Sequence, residues 1–262
     1  MCIISGPVTH VSSTRLCCIP SKNGRRQLTV YRNEVATPDV NAMCLPVPNP
    51  ASVKFEEVPK DIFSQCSSSF HYPHKYERTW SLSSSSRSTL AIQSHGSYEV
   101  VLVPSMNDFD RIPSPFNTLT PEVITFLQTS YPASFGIVLC RLKQGHTDYE
   151  PFAYSHEIQA NGKLFFPTKH YHVHKFTQTI PYEFERLMPT LHKYANDWDH
   201  ELFSIGTGIH EHVSEKKEVI SKNAIRWDEF PEEFQHTSRK VMRCREIVGD
   251  HLNTDIEMIL VA

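Results

Sequence analysis

Polar and apolar residues alternate with a period of two along much of this chain, the pattern of strands with one buried face. In "QLTVYRNEV", Leu28, Val30 and Arg32 alternate with Thr29, Tyr31 and Asn33. The preceding stretch, "CIISGPVTHVSSTRLCCIP", is rich in β-branched residues, and "SKNGRR" between the two supplies an Asn-Gly turn. Two strand patterns around Asn-Gly predict a hairpin. "NAMCLPVPNP" follows as a short apolar strand. Proline lacks the ladder N–H, so Pro46, Pro48 and Pro50 mark an edge or an exit from the sheet.

From Ser64 to His95 the periodicity stops. "SQCSSSFHYPHKYERTWSLSSSSRSTLAIQSH" is rich in serine and histidine and reads as a long mobile loop between two structured parts. Its "SLSSSSRS" core is a solvated spacer or a phosphorylation target.

Period two resumes in "SYEVVLVPS", and "FGIVLCRL" is a near-continuous apolar run that predicts a central strand. Between them, "LTPEVITFLQTSY" switches to helical spacing, with Val123, Phe126 and Leu127 on one face. Thr120 suits the N-cap, Pro121 the first helical position, and Glu122 the positive end of the helix dipole. "YEPFAYSHEI", "GKLFFPTK" and "HYHVHKF" are further strands, the Asn-Gly of "QANGKL" turning a hairpin between the first two. "PYEFERLMPTLHKYANDW" reads as a helix interrupted near Pro189, and "HELFSIGTG" and "DIEMILVA" as late strands.

These elements predict an α+β fold dominated by antiparallel sheet with a few short helices. Residues 1–63 form an N-terminal β unit, 64–95 the loop, and 96–262 a C-terminal α+β unit continuous with the first. "LTVYRNEV…MCLPVP" and "IVLCRLKQ…LFFPTK" echo each other, which is compatible with two similar β units.

Composition narrows the function classes. The 262 residues are 39% hydrophobic and carry a net charge of −3, so no basic field draws the chain to nucleic acid or anionic lipid. No apolar run approaches the roughly 18 residues of a membrane span. "MCIISGPVTH" lacks the basic and long apolar regions of a secretory signal. Seven scattered cysteines without a CxxC fit a reducing, intracellular compartment, most of them buried as small apolar residues. Nucleotide-binding, serine-hydrolase and HExxH motifs are absent.

The chemistry concentrates in "PTKHYHVHKF", Pro167–Phe176. On a strand, His170, His172 and His174 share one face. Neighbours two apart are separated by about 6.6 Å, and the outer pair by about 13 Å. One ion therefore takes at most two of the three, at bonds of about 2.0–2.1 Å. Further ligands must come from elsewhere: Asp197, Asp199 and His200 in "NDWDHE", or the His210/His212 pair in "GIHEH". His170, His172, His210, His212 and Asp199 are the candidate ligands. A mixed imidazole and carboxylate shell suits Zn²⁺ or another divalent transition metal. Solvated or hydrogen-bonded histidines, and an anion site, are the competing readings.

Cys2 is a second candidate. With Met1 removed it carries both a thiol and an α-amine that can act as its base. "VYRNEV" (Val30–Val35) resembles the Arg-Asn strand of bile-salt-hydrolase-like N-terminal-nucleophile enzymes. Here Arg32-Asn33 lies farther from Cys2, Glu34-Val35 replaces the acidic partner, and the αββα layering that the resemblance implies needs more helix than the sequence shows. The plainer reading of Cys2 is a small residue opening the first strand.

The order of boxes also resembles a bacterial β-rich domain family of unknown function. The matching residues are Cys2, "LPVP" at Leu45–Pro48, "SYEVVLVPS" at Ser97–Ser105, "FGIVLCRLKQG" at Phe135–Gly145, "EPFAYSH" at Glu150–His156 and "LFFP" at Leu164–Pro167. The serine-rich insertion and the histidine strand depart from it. The resemblance implies one continuous β-rich unit and assigns no catalytic residue. The expected function is a non-catalytic binding or structural protein with a candidate metal site, partnered by other proteins or copies of itself. The alternative is a metal-assisted or N-terminal-cysteine hydrolase.

Overall fold

The computed structural model describes residues 3–68, 90, 92–171, 194–205, 207–208, 217–220, 225–236 and 241–260. Elements are numbered in chain order. Five strands form one antiparallel sheet, in the order β1 (Ile3–Ile4), β4 (Asn41–Val47), β8 (Gly136–Leu142), β7 (Tyr98–Val103) and β6 (Gln93–His95). Eight strands form a second. Its order is β14 (Lys217–Ile220), β15 (Val241–Leu252), β12 (Tyr194–Ile205), β2 (His10–Pro20), β3 (Arg26–Thr37), β10 (Phe152–Glu157) and β5 (Lys54–Glu56), and β9 (Gly145–Asp148) also pairs with β3. Three short strands, β11 (Lys163–Phe166), β16 (Ile256–Leu260) and β13 (Thr207–Gly208), make a third sheet. Among the described strands, pairing is antiparallel except between β12 and β2. The β-dominated α+β class expected from the alternation is the observed one.

Alternation decides which side chain goes where. Met43, Leu45 and Val47 of β4 join Val138, Cys140 and Leu142 of β8 on the face that meets Leu16, Cys18, Tyr31, Tyr154 and Leu202 of the larger sheet. The alternate residues Ala42, Cys44, Ile137 and Leu139 face outward beneath helix α2 (Pro121–Ser130), which buries Val123 and Leu127 against them. On the outer side of the larger sheet, Cys17, Ile19, Leu28 and Val30 are covered by helix α1 (Ile62–Ser68) through Ile62, Phe63 and Cys66. The layers run helix, sheet, sheet, helix. Among the described residues each outer face carries one short α-helix, and Phe109, Ile112 and Phe116 on one side and Ile225, Phe230 and Phe234 on the other extend its cover.

Several predicted elements are present as read. β2 and β3 form the hairpin, with Gly24 at φ 69° in its turn. β8 is the central strand of its sheet. Thr120 caps α2, its hydroxyl accepting from the Val123 N–H at 3.4 Å. Cys18, Cys44 and Cys140 are fully buried.

Others differ. β10 and β11 are not a hairpin: both edges of β10 are taken, by β3 and β5, so β11 pairs with β16. β4 is internal to its sheet, so the prolines mark its exit and not an edge: it ends at Val47, before Pro48 and Pro50. Pro46 lies beyond Met43 and Cys44, the residues that β1 pairs with, so among the described residues β8 is its strand neighbour. The loop expected over 64–95 begins as helix, since Ile62, Phe63 and Cys66 find an apolar floor, and ends as strand in β6. Its residues 69–89 and 91 lie outside the described residues. Of the helix expected over 181–198, Tyr194–Trp198 belongs to β12, where pairing with β15 overrides helical spacing. The rest lies outside the described residues. Strands from before 63 and after 96 pair directly in both large sheets, β4 with β8 in one and β3 with β10 in the other. The echoed stretches are placed differently: β3 and β8 lie in different sheets, and β4 pairs directly with β8. No described helix is long and apolar enough to cross a membrane.

Burial between the sheets also sets a pH dependence. His156 on β10 is 1% exposed, and its Nδ1 lies 2.9 Å from the Glu157 carbonyl. Desolvation, with the nearby Arg26 charge, lowers its pKa from 6.5 to about 4. The unfolded chain therefore binds the proton more readily, so the contribution is complete above pH 6.5 and is lost as pH falls towards 4. Urea midpoints are expected to fall between pH 7 and pH 4.5. Replacing His156 with glutamine should remove roughly 2 kcal/mol of that fall; an unchanged pH profile in the variant would refute this origin.

Candidate functional site

The histidine segment enters the molecule beside the first strand. Tyr171 forms an isolated parallel bridge with Ile3, and the Ile4 N–H donates to the Tyr171 carbonyl at 2.7 Å. Around it the side chains alternate as an extended chain requires. The Lys169 ammonium lies 4.8 Å from the centre of the Tyr131 ring, and Tyr171 packs on Phe126 of α2. His170 points the other way and is 5% exposed. Lys169 and Tyr171 therefore share the face toward α2 and Tyr131.

His170 meets His200 of β12. Their rings stack with centroids 5.2 Å apart and planes 24° from parallel. His200 is 1% exposed because it shares the inward face of β12 with Leu202. Opposite His200 in the parallel register is Thr14 of β2. The Thr14 hydroxyl is buried and has no hydrogen-bond partner among the described residues. It follows a bulge where the β2–β3 register shifts between Ser12 and Arg15 and Ser13 adopts φ 53°. A non-glycine residue in the left-handed region costs energy, and bulges of this kind re-aim neighbouring side chains.

The segment before His170 is held by side chains rather than by a ladder. Asn253 clamps His170 on both sides of its backbone: Oδ1 accepts from the His170 N–H at 2.6 Å, and Nδ2 donates to its carbonyl at 2.8 Å. Asp255 Oδ1 accepts from the N–H groups of Thr168 at 3.0 Å and Lys169 at 2.9 Å. Burial raises the Asp255 pKa, against the lowering effect of those N–H donors and of Lys169. Gln27 of β3 repeats the Asn253 device one segment earlier. Its Oε1 accepts from the Phe165 N–H at 2.8 Å, and its Nε2 donates to the Phe165 carbonyl at 2.7 Å.

Of the ligands proposed from sequence, His170 is in this cluster. Asp199 lies on β12 opposite Val248, one position before His200, the residue of "NDWDHE" brought to His170. His172, His210, His212 and Cys2 lie outside the described residues. Among the described residues no three metal-ligating side chains converge. Thr14, Asn253 and Asp255 were not anticipated. Asn253 and Asp255 sit in a turn-like "NTD" that carries a capping signal but names no partner. Nothing in the sequence marks Thr14. A shallow groove of about 380 Å³ near Ser94, Glu99, Arg141 and Lys143 shares no residue with the cluster.

Comparison with protein-family models, with curated proteins and with solved structures finds no match.

Removing the Asn253 amide leaves two backbone groups of His170 without their partner. Asn253→Ala is expected to lower stability by about 1–3 kcal/mol and to speed hydrogen exchange at the His170 amide; unchanged exchange there would show that the clamp does not hold the segment.

Proposed function

We propose that this chain is a binding protein whose site is the His170–His200 pair, and that its ligand is a divalent transition-metal ion. The carrying observation is the ring separation. Two imidazoles on one tetrahedral ion, with bonds of about 2.0–2.1 Å, put their ring centroids about 5 Å apart. His170 and His200 stand at 5.2 Å, so the separation already matches, and the stacked rings need to turn until one nitrogen of each faces the ion. The Asn253 clamp fixes the backbone from which the His170 ring projects, and Thr14 stands opposite His200 in the register. His172, two residues from His170, is the third donor this reading assigns. Imidazole donors favour Zn²⁺, with copper and nickel next. Purified protein is expected to carry about one ion per chain. His170→Ala and His200→Ala should each lose it, and His172→Ala should bind it more weakly. Equal metal in wild type and in the His200→Ala variant would remove the site.

A second reading, an N-terminal-cysteine hydrolase, is favoured by a different observation. Ile3 and Ile4 pair with β4 inside a helix–sheet–sheet–helix arrangement, and Ile3 bridges to the histidine segment. Cys2 is bonded to that buried strand. A thiol and α-amine at such a position have the composition of a nucleophile and its base. This reading requires that Met1 be absent. Intact mass is expected to show its loss together with a thiol that Cys2→Ala removes and that reacts faster than the buried cysteines; a retained Met1 ends the hydrolase reading and leaves the metal reading untouched.

A further inference from the structure

Beneath helix α1, on the opposite side of the larger sheet from the histidines, two thiols face each other. The Cys66 Sγ of α1 lies 4.0 Å from the Cys17 Sγ of β2, and both residues are fully buried. They share their apolar pocket with Ile62, Phe63 and Phe203, and half-buried Cys244 of β15 packs against its rim. Cys17 and Cys244 are both register partners of Phe203, so all three sulfurs belong to one face. Cys18 belongs to the other. Its Sγ points between the sheets, 3.7 Å from the Phe165 carbonyl.

We propose that Cys17 and Cys66 are a disulfide-forming site, closed by a peroxide-class oxidant. The sulfurs need to approach by about 2 Å to reach bonding distance. The moving part is a helix of seven residues, tied to the following chain through Asp61 and Gln65, which hold Arg226 at 2.6 and 2.9 Å. In the reaction the Cys66 thiolate attacks one oxygen of hydrogen peroxide. The O–O bond breaks, and the departing hydroxide takes up the thiol proton as water, leaving a sulfenic acid. Cys17 Sγ then displaces the hydroxyl from that sulfur. The S–O bond breaks, the S–S bond forms, and the Cys17 proton leaves with the hydroxyl as a second water. The thiol pair loses two electrons, and the peroxide gains them.

Contact with Cys17 and burial hold the Cys66 pKa well above its ordinary value. The resting Cys66 is therefore a thiol, and oxidation waits on displacement of α1. Once formed, the disulfide fastens α1 to β2, and the melting temperature rises by several degrees until a thiol reductant reverses it.

The full chain is treated with hydrogen peroxide, its remaining thiols are alkylated under denaturing conditions, and the disulfide is mapped by tandem mass spectrometry. The expected product joins Cys66 to Cys17. It persists in Cys18→Ala and is absent from Cys17→Ala and Cys66→Ala. Because Cys17 and Cys18 are adjacent, backbone fragmentation between them in the wild-type peptide gives the same assignment without any variant. A bond from Cys66 to Cys18 or to Cys244 overturns the proposal. So does recovery of Cys17 and Cys66 as alkylated thiols after exposure that oxidises Cys244.

Discussion

Everything in this molecule depends on strands whose two faces are both apolar. β4 and β8 send alternate side chains into the space between the large sheets and outward beneath α2. β2 and β3 do the same between the sheets and beneath α1. Burying only one face would leave the other in water, at a cost proportional to its apolar area. The stack of four layers answers that constraint, and it explains why such short helices suffice. Each has only to cover a stripe of sheet, not to build a core of its own. Close packing leaves no slack: a Cβ on Gly136, where β8 begins, would sit 2.5 Å from Pro50 Cβ and 2.6 Å from the Val103 carbonyl oxygen.

Polar side chains complete what the ladders leave open. Gln27 and Asn253 each present a primary amide to one backbone residue, donating to its carbonyl and accepting from its N–H, as a neighbouring strand would. A buried backbone group without a partner is costly, so these amides satisfy the edge of β11 at Phe165 and the backbone of His170, which lies beyond the end of β11. Asn33 serves a similar purpose deeper in. Its Oδ1 accepts from the Tyr98 hydroxyl at 2.8 Å and its carbonyl from the Tyr149 N–H at 3.0 Å, which links the two large sheets. The orientation of His170 follows from this scaffold. Asn253 sets its backbone, and extended geometry then sends its ring toward His200 rather than toward α2.

The thiol pair and the histidine pair lie on opposite faces of one sheet, and both arise from alternation along the same strands. Cys17 and Cys18 are consecutive, so one sulfur goes to α1 and the other to the space between the sheets. On β12, His200 and Leu202 point inward while Phe203 joins the pocket under α1.

Local pattern by itself determined the strands with strong alternation, the β2–β3 hairpin, the Thr120-capped helix and the alternation of Lys169, His170 and Tyr171, because each is set by residues within a few positions of one another. It led to His170 and to "NDWDHE" with His200 among its possible donors, but chose Asp199 from that run. It failed where a tertiary partner outweighs local preference. Helix-like "HKYANDW" becomes strand at Tyr194–Trp198 because β15 is there to pair with it, and serine-rich "IFSQCSS" becomes α1 because the outer face of the larger sheet needs cover. Which histidine meets which, the register that sets Thr14 opposite His200, and the approach of Cys66 to Cys17 were decided only by tertiary structure. Each joins residues dozens to nearly two hundred positions apart, and no periodicity in a short window carries information across that distance.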